Sequence, residues 1–122
     1  MNAAERQLPI EAGPGPGLPD LALMSQHADE ASRLLKALAN EKRLLILCLL
    51  AQGERSVTAL NAQLDLSQSA LSQHLAVLRA DGLVQTRREA QTIFYAIADG
   101  PAQRIMQTLH DIFCGSDRTN TP

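Results

Sequence analysis

Apolar positions along this chain recur with a helical period, and the period is broken once, near the middle, by a stretch in which they alternate. Ala28, Ala31, Leu34, Leu35 and Leu38 return every three or four residues and predict a helix over about Leu21 to Ala39. Asn40 suits the N-cap of a second helix, Glu41 to Ala51. From Leu44 onward that helix is apolar on every side, so it is expected to be the central, buried one, ended by Gln52-Gly53. Ser56 suits the cap of a third helix, Val57 to Leu64, followed by a tight turn at Asp65-Leu66. Ser67 caps a fourth, Gln68 to Ala80, which stops at Asp81-Gly82. The period then falls to two. Val84 to Arg88 and Thr92 to Ile97 read as two strands joined by Glu89-Ala90-Gln91. Pro101 fits the first turn of a last helix, along which Ile105, Met106, Leu109, Ile112 and Phe113 form a stripe up to Gly115.

The predicted fold class is mostly α with a β-hairpin wing. Two helices joined by a short turn and followed at once by a hairpin make the winged helix-turn-helix arrangement. The apolar stripes of the first and last helices exceed what one small core covers, which predicts a homodimer paired across a two-fold axis. Residues 1–20 hold four of the six prolines and three of the seven glycines, and are expected to be a disordered tail. The folded domain is expected over 21–115, with a polar tail at 116–122. With no Trp, one Tyr and two Phe, the core must be built from aliphatic side chains, which suits packed helices.

Charge changes the picture only once it is mapped. The net charge of −2 is unusual for a protein that binds nucleic acid. Residues 1–32, however, carry one basic side chain, Arg6, against Glu5, Glu11, Asp20, Asp29 and Glu30. The rest of the chain is left with 10 basic and 8 acidic residues, a net of +2. A local basic face is therefore compatible with the overall acidity. No apolar run reaches the roughly 18–20 residues needed to cross a bilayer, and the start shows no basic stretch leading into an apolar one. The expectation is a cytoplasmic protein with no membrane association, in a compartment where thiols are normally reduced.

The fourth helix carries the most specific chemistry. Leu71, Leu75 and Leu78 fall within about 60° of arc and must face the core. The opposite face presents Ser69, Ser72, Gln73, Ala76 and Ala80. Short side chains let a helix lie deep in a major groove, Gln pairs bidentately with adenine, and Ser reaches base edges or phosphates. The first turn, Ser67-Gln68-Ser69, offers backbone N–H groups suited to a phosphate. Arg79 sits at the flank, and Arg87 and Arg88 near the hairpin tip are placed to reach phosphates or the adjacent minor groove. His74 lies beside the apolar stripe, with two roles open to it, a partly buried hydrogen-bonded histidine or a base reader. The expected partner is double-stranded operator DNA with an inverted repeat. The alternative from another class is a winged-helix protein-interaction module, which the low net charge favours and the polar face with Arg87-Arg88 disfavours. No acid pair, Ser/His/Asp set or Gly-rich phosphate loop points to an enzyme.

These residues are familiar as a set. Ala39-Asn-Glu-Lys-Arg-Leu-Leu-Ile-Leu, Leu66-Ser-Gln-Ser-Ala-Leu-Ser-Gln-His-Leu-Ala-Val-Leu-Arg79, Gly82-Leu-Val, and Arg87-Arg followed by Ile93-Phe-Tyr95 resemble the ArsR/SmtB family of small bacterial repressors. The resemblance covers about residues 24–114. It implies a homodimer built from the first and last helices, recognition helices in successive major grooves, and an inducer that releases the DNA. Two positions depart from the family pattern: Asp65 stands where a turn Gly is common, and Ala90 stands where the wing often has Gly.

The resemblance also bears on what is sensed. Family metal sites lie in the third helix or at the two ends of the last one. Here Val57 to Leu64 holds no Cys or His, and Pro101-Ala-Gln-Arg104 holds no ligand, so no metal or cofactor is expected. The two cysteines, Cys48 in the second helix and Cys114 at the end of the last, have settings that resemble the persulfide-sensing branch of the family. In that branch the matching cysteines join through a disulfide or polysulfide bridge and DNA is released, which makes reactive sulfur or an oxidant the implied inducer. With Cys48 placed in the buried helix, the expected response is stronger to persulfide than to peroxide. Two other readings stand beside this one. Cys48 by itself passes for a small apolar core residue. Cys48, His110 and Cys114 together would suit zinc or haem in a metal-responsive repressor.

Overall fold

The computed structural model describes residues 20–115, so the expected tails lie outside the described residues except for Asp20. The chain divides into two units, residues 1–33 and 34–122. In the first unit the side chain of Asp20 accepts the N–H groups of Ala22 at 2.9 Å and Leu23 at 3.3 Å. This cap starts helix α1, Leu21–Leu38. One turn on, His27 Nδ1 lies 2.9 Å from Glu30 Oε1, a pair three residues apart on one helix face.

The second unit begins with the last turn of α1, whose Ala37 and Leu38 are buried. Helix α2, Glu41–Ala51, follows almost at once. Its start is fixed twice. Asn40 accepts the backbone N–H of Arg43 at 3.0 Å, and the Arg43 guanidinium donates back to the carbonyls of Ala37 at 2.6 Å and Lys36 at 3.4 Å. A cation on the last carbonyls of a helix satisfies groups that have no partner within it. The order then runs β1 Arg55–Ser56, α3 Val57–Gln63, α4 Gln68–Ala80, β2 Val84–Glu89, β3 Thr92–Ile97 and α5 Pro101–His110. A π-helical turn, Asp111–Gly115, closes the last helix.

Ile46, Leu47, Leu60, Leu71, Leu75 and Leu78 have almost no solvent exposure and bring α2, α3 and α4 together. Leu83 and Val84 from the start of β2, and Ala102 and Met106 from α5, complete this core. The fold class expected from the sequence is the one found, helices with a hairpin wing. Two details differ. The hairpin loop is two residues, Ala90-Gln91, because Glu89 pairs with Thr92. The wing also has a third strand: β1 pairs antiparallel with β3 through Arg55↔Tyr95 and Ser56↔Phe94, so the sheet order is β1-β3-β2. A two-residue strand is too short for alternation to reveal.

Among the described residues no helix is long and apolar enough to cross a membrane.

Candidate nucleic-acid interface and cysteine pair

Helix α4 owes its position to its caps and its leucines. Ser67 Oγ accepts the N–H of Ala70 at 3.0 Å, and the Ser67 carbonyl accepts that of Leu71 at 2.9 Å. The turn before it is held by Asn61, whose side-chain amide donates to the Leu66 carbonyl at 2.8 Å. Leu71, Leu75 and Leu78 are buried as the spacing requires. That leaves Gln68, Ser69, Ser72, Gln73, Ala76, Val77, Arg79 and Ala80 exposed on the outside, with His74 half-buried at the margin. Among the described residues the side chains of Gln68, Ser69, Ser72, Gln73, His74 and Arg79 make no hydrogen bond to the protein. Ser67 differs from them, because its oxygen already accepts the cap hydrogen bond, while its hydroxyl proton remains free to donate.

The two arginines of the wing fare differently. Arg87 donates from Nε to Glu54 Oε2 at 3.0 Å, from Nη2 to Glu54 Oε1 at 2.7 Å and from Nη1 to Glu89 Oε1 at 3.1 Å. Its guanidinium carbon also lies 4.7 Å from the centre of the Phe94 ring. The hydrogen bond from Arg87 holds the Glu54 carboxyl below its ordinary value, and the same bond raises Arg87. Arg88, next along the strand, is exposed, and among the described residues no carboxylate pairs with it. Neither Glu54 nor Asn61 stands out in the sequence, and Phe94 does so only as part of the family pattern. Glu54 and Arg87 are 33 residues apart, and no local pattern signals such a pair.

The expectation of a fully buried α2 is corrected. Its core side is Ile46, Leu47 and Leu50. Leu45, 44% exposed, and Cys48, also exposed, share the opposite side three residues apart. Both cysteines are free thiols open to solvent, Cys48 on α2 and Cys114 in the π-helical turn after α5. Helices α2 and α5 pack against each other. Among the described residues no group of three or more His, Cys, Asp and Glu side chains is placed to hold a metal ion, so Cys48, His110 and Cys114 do not form one.

A capped helix whose outer face carries polar and small side chains, set in a helix-turn-helix beside a three-stranded wing, defines a regulator of the winged helix-turn-helix class. Residues 40–86 match the family model described as bacterial regulatory protein, arsR family. The transcriptional activator HlyU of Vibrio cholerae is 50% identical over 99 residues, 81% of this chain and 92% of that protein. The biofilm growth-associated repressor of Agrobacterium fabrum is 47% identical over 109 residues, 89% of this chain and 90% of that one. The crystal structure of the transcriptional repressor BigR from Xylella fastidiosa superposes with a TM-score of 0.73 at 40% identity, covering 79% of this chain and 98% of that one. The chain belongs to the arsR family of winged-helix transcription regulators, on the branch that includes HlyU and BigR.

Proposed function

We propose that this protein is a homodimeric repressor that binds an inverted-repeat operator through α4 and the wing, and that sulfur chemistry at Cys48 and Cys114 relieves the binding. The observation that carries the DNA reading is the outer face of α4. It is polar apart from Ala76, Val77 and Ala80, it is sterically slight, and among the described residues its polar side chains from Gln68 onward have no internal hydrogen-bond partners, which is what a helix needs to lie against base edges. Ser72 and Gln73 then read bases, Ser67, Gln68 and Ser69 meet a phosphate at the helix start, and Arg79 and Arg88 flank them. His74 sits at the edge of this set. Relatives on the same branch are named as repressors, and one as an activator.

The dimer reading is supported by apolar side chains that the core leaves outside. Leu35, Leu45, Ile112 and Phe113 are between 44% and 71% exposed. Contiguous exposed apolar surface is what marks an interface, and pairing with a second copy of this chain would cover these groups. A two-fold axis then sets half-sites about 34–36 Å apart, or a multiple of that. Sedimentation at micromolar concentration tests it, and a monomer would overturn it.

The switch reading is supported by two accessible free thiols in a chain that has no other cysteine, one on α2 and one in the turn that ends α5, the helix packed against α2. A persulfide RSSH passes its outer sulfur to one thiolate and leaves as RSH. The second thiolate then displaces hydrosulfide and closes a disulfide, and a further sulfur transfer before closure gives a trisulfide. The added sulfur lets a bridge span cysteines too far apart for a direct bond. With Cys48 accessible, burial no longer distinguishes persulfide from peroxide, and the preference for persulfide rests on this span alone. The test combines intact mass with a gel shift on a duplex that the wild-type protein selects from a random pool. Cys48→Ser and Cys114→Ser should each bind the duplex and fail to release it on persulfide treatment. Release of either variant as readily as wild type would sink the switch, and selection of no duplex would sink the DNA reading in favour of a protein-binding module.

A further inference from the structure

The wing holds a second device that strand alternation makes visible. Along β2, Val84, Thr86 and Arg88 point to one face of the sheet, and Gln85, Arg87 and Glu89 to the other. The first face begins in the core with Val84, 4% exposed, so it is the side on which the helices pack. Arg88 lies at its outer end. The second face is where Arg87 sits directly opposite Phe94 on β3.

Since β3 is the central strand, the Arg87 side chain starts at one edge of the sheet and crosses the Phe94 ring. It ends in a two-point contact with Glu54, the residue just before the other edge strand. Strand β1 is two residues long, so its ladder to the hairpin is short, the pairs Arg55↔Tyr95 and Ser56↔Phe94. Its second residue, Ser56, is also the N-cap of α3, accepting the N–H of Ala59 at 3.1 Å. This side chain therefore adds a tie between the hairpin and the start of the helix-turn-helix, beside the strand pairing and the packing of β3 on α2 and α3. With Nε, Nη1 and Nη2 all donating to carboxylates, the charge of Arg87 is spent inside the wing. Arg88 is not engaged in this way.

We propose that Arg87 is a positioning residue, a strap across the wing sheet that sets the angle between hairpin and helix-turn-helix, and that Arg88 alone is the wing's phosphate contact. The proposal rests on the DNA-binding reading for its second half and stands without it for its first. It reassigns one of two adjacent arginines that look equivalent in the sequence.

Two measurements test it on the full chain. Hydrogen–deuterium exchange needs no DNA. Arg87→Gln and Glu54→Gln, both surface changes compatible with the fold, should each speed exchange at Arg55 to Val57 and along β3. Unchanged exchange in both would overturn the strap, whether or not the protein binds DNA. The second measurement is a salt titration of binding to the duplex selected by the wild-type protein. Arg88→Gln should flatten the slope of log affinity against log salt by about one unit per protomer. Arg87→Gln and Glu54→Gln should each weaken binding about two- to fivefold at unchanged slope, with no further loss in the double variant. If Arg87 were instead a phosphate contact restrained by Glu54, Glu54→Gln would tighten binding and steepen the slope, and that result overturns the proposal. Arg87→Lys separates charge from the fork. It keeps the cation and loses the two-point contact, so it should behave as Arg87→Gln does.

Discussion

Helix α4 and the wing are adjacent parts of one surface, yet they present their polar groups in opposite ways. The outer face of α4 is left open, with Ser69, Ser72 and Gln73 making no hydrogen bond among the described residues. The wing engages its own most obvious cation, Arg87, with two carboxylates and an aromatic ring. The difference follows from what holds each element in place. The helix is anchored from beneath by three buried leucines and a cap, so its outer side chains are not needed for structure. The wing sheet is thin, two of its strands are edges, and one edge is two residues long, so it draws on surface polar groups for its shape. A residue's chemistry therefore does not show by itself whether it faces a partner. What shows it is how much other support its element has.

The largest effect is expected from removing the support under α4. Leu75 is 1% exposed within the core shared with α2 and α3. Leu75→Ala should cost about 2–5 kcal/mol of unfolding free energy, the range for a leucine cavity that relaxes only in part. Chemical denaturation measures it. A loss below about 1 kcal/mol would mean that α4 is not held chiefly from beneath.

On the outer face the expected effect moves from stability to recognition. Gln73→Ala should leave the denaturation midpoint where it is and cost about 1–3 kcal/mol of discrimination between the selected duplex and variants of it. Operator preference left intact by this change would mean that another part of α4 reads the bases.

Much of this contrast was legible in the sequence, and the rest was hidden for a physical reason. The caps Asn40, Ser56 and Ser67 and the leucine spacing of α4 are local signals, and they place α2, α3 and α4 within a residue of where they are found. The exposure of Cys48 was not legible. A helix that is apolar all round has no polar face to mark which side leaves the core, and Leu45 and Cys48 look no different from Ile46 and Leu47 until the neighbours are in place. The strap was hidden too, because adjacent arginines differ only by the strand face they occupy and by a carboxylate far away in sequence. The sulfur switch was suggested by resemblance rather than by the residues' own pattern.

The wing's dependence on a surface ion pair makes it responsive to acid in a way α4 is not. Glu54 is held below its ordinary value of 4.5 by the hydrogen bond from Arg87. A carboxylate lowered in the folded state contributes its full share above the ordinary value and loses it as pH falls through the lowered one. The Arg87–Glu54 pair should therefore persist through pH 4.5 and dissolve only at more acid pH. The side-chain carboxyl signal of Glu54 in an NMR titration reports this directly. A midpoint at or above 4.5 would mean the pair is not populated in solution, and Glu54 should titrate normally in Arg87→Gln.

The smallest expected effect is at the hairpin loop. Ala90, the first of the two loop residues, has φ of 55°, and it is the one residue other than glycine with positive φ among the described residues. Positive φ at the first position of a two-residue hairpin loop is the type II′ pattern, in which glycine is preferred. The alanine Cβ costs about 1–2 kcal/mol there. Glycine removes that cost but frees the unfolded chain, which takes back about 0.4–1 kcal/mol. The net gain for Ala90→Gly is then about 0.5–1 kcal/mol, a rise of a few degrees in melting temperature. Binding should change little, since the loop's geometry is kept. If the gain in stability came with a clear loss of affinity, the strained alanine would be holding the wing tip in a shape that glycine relaxes. The tip would then join Arg87 among the parts of the wing that act by position.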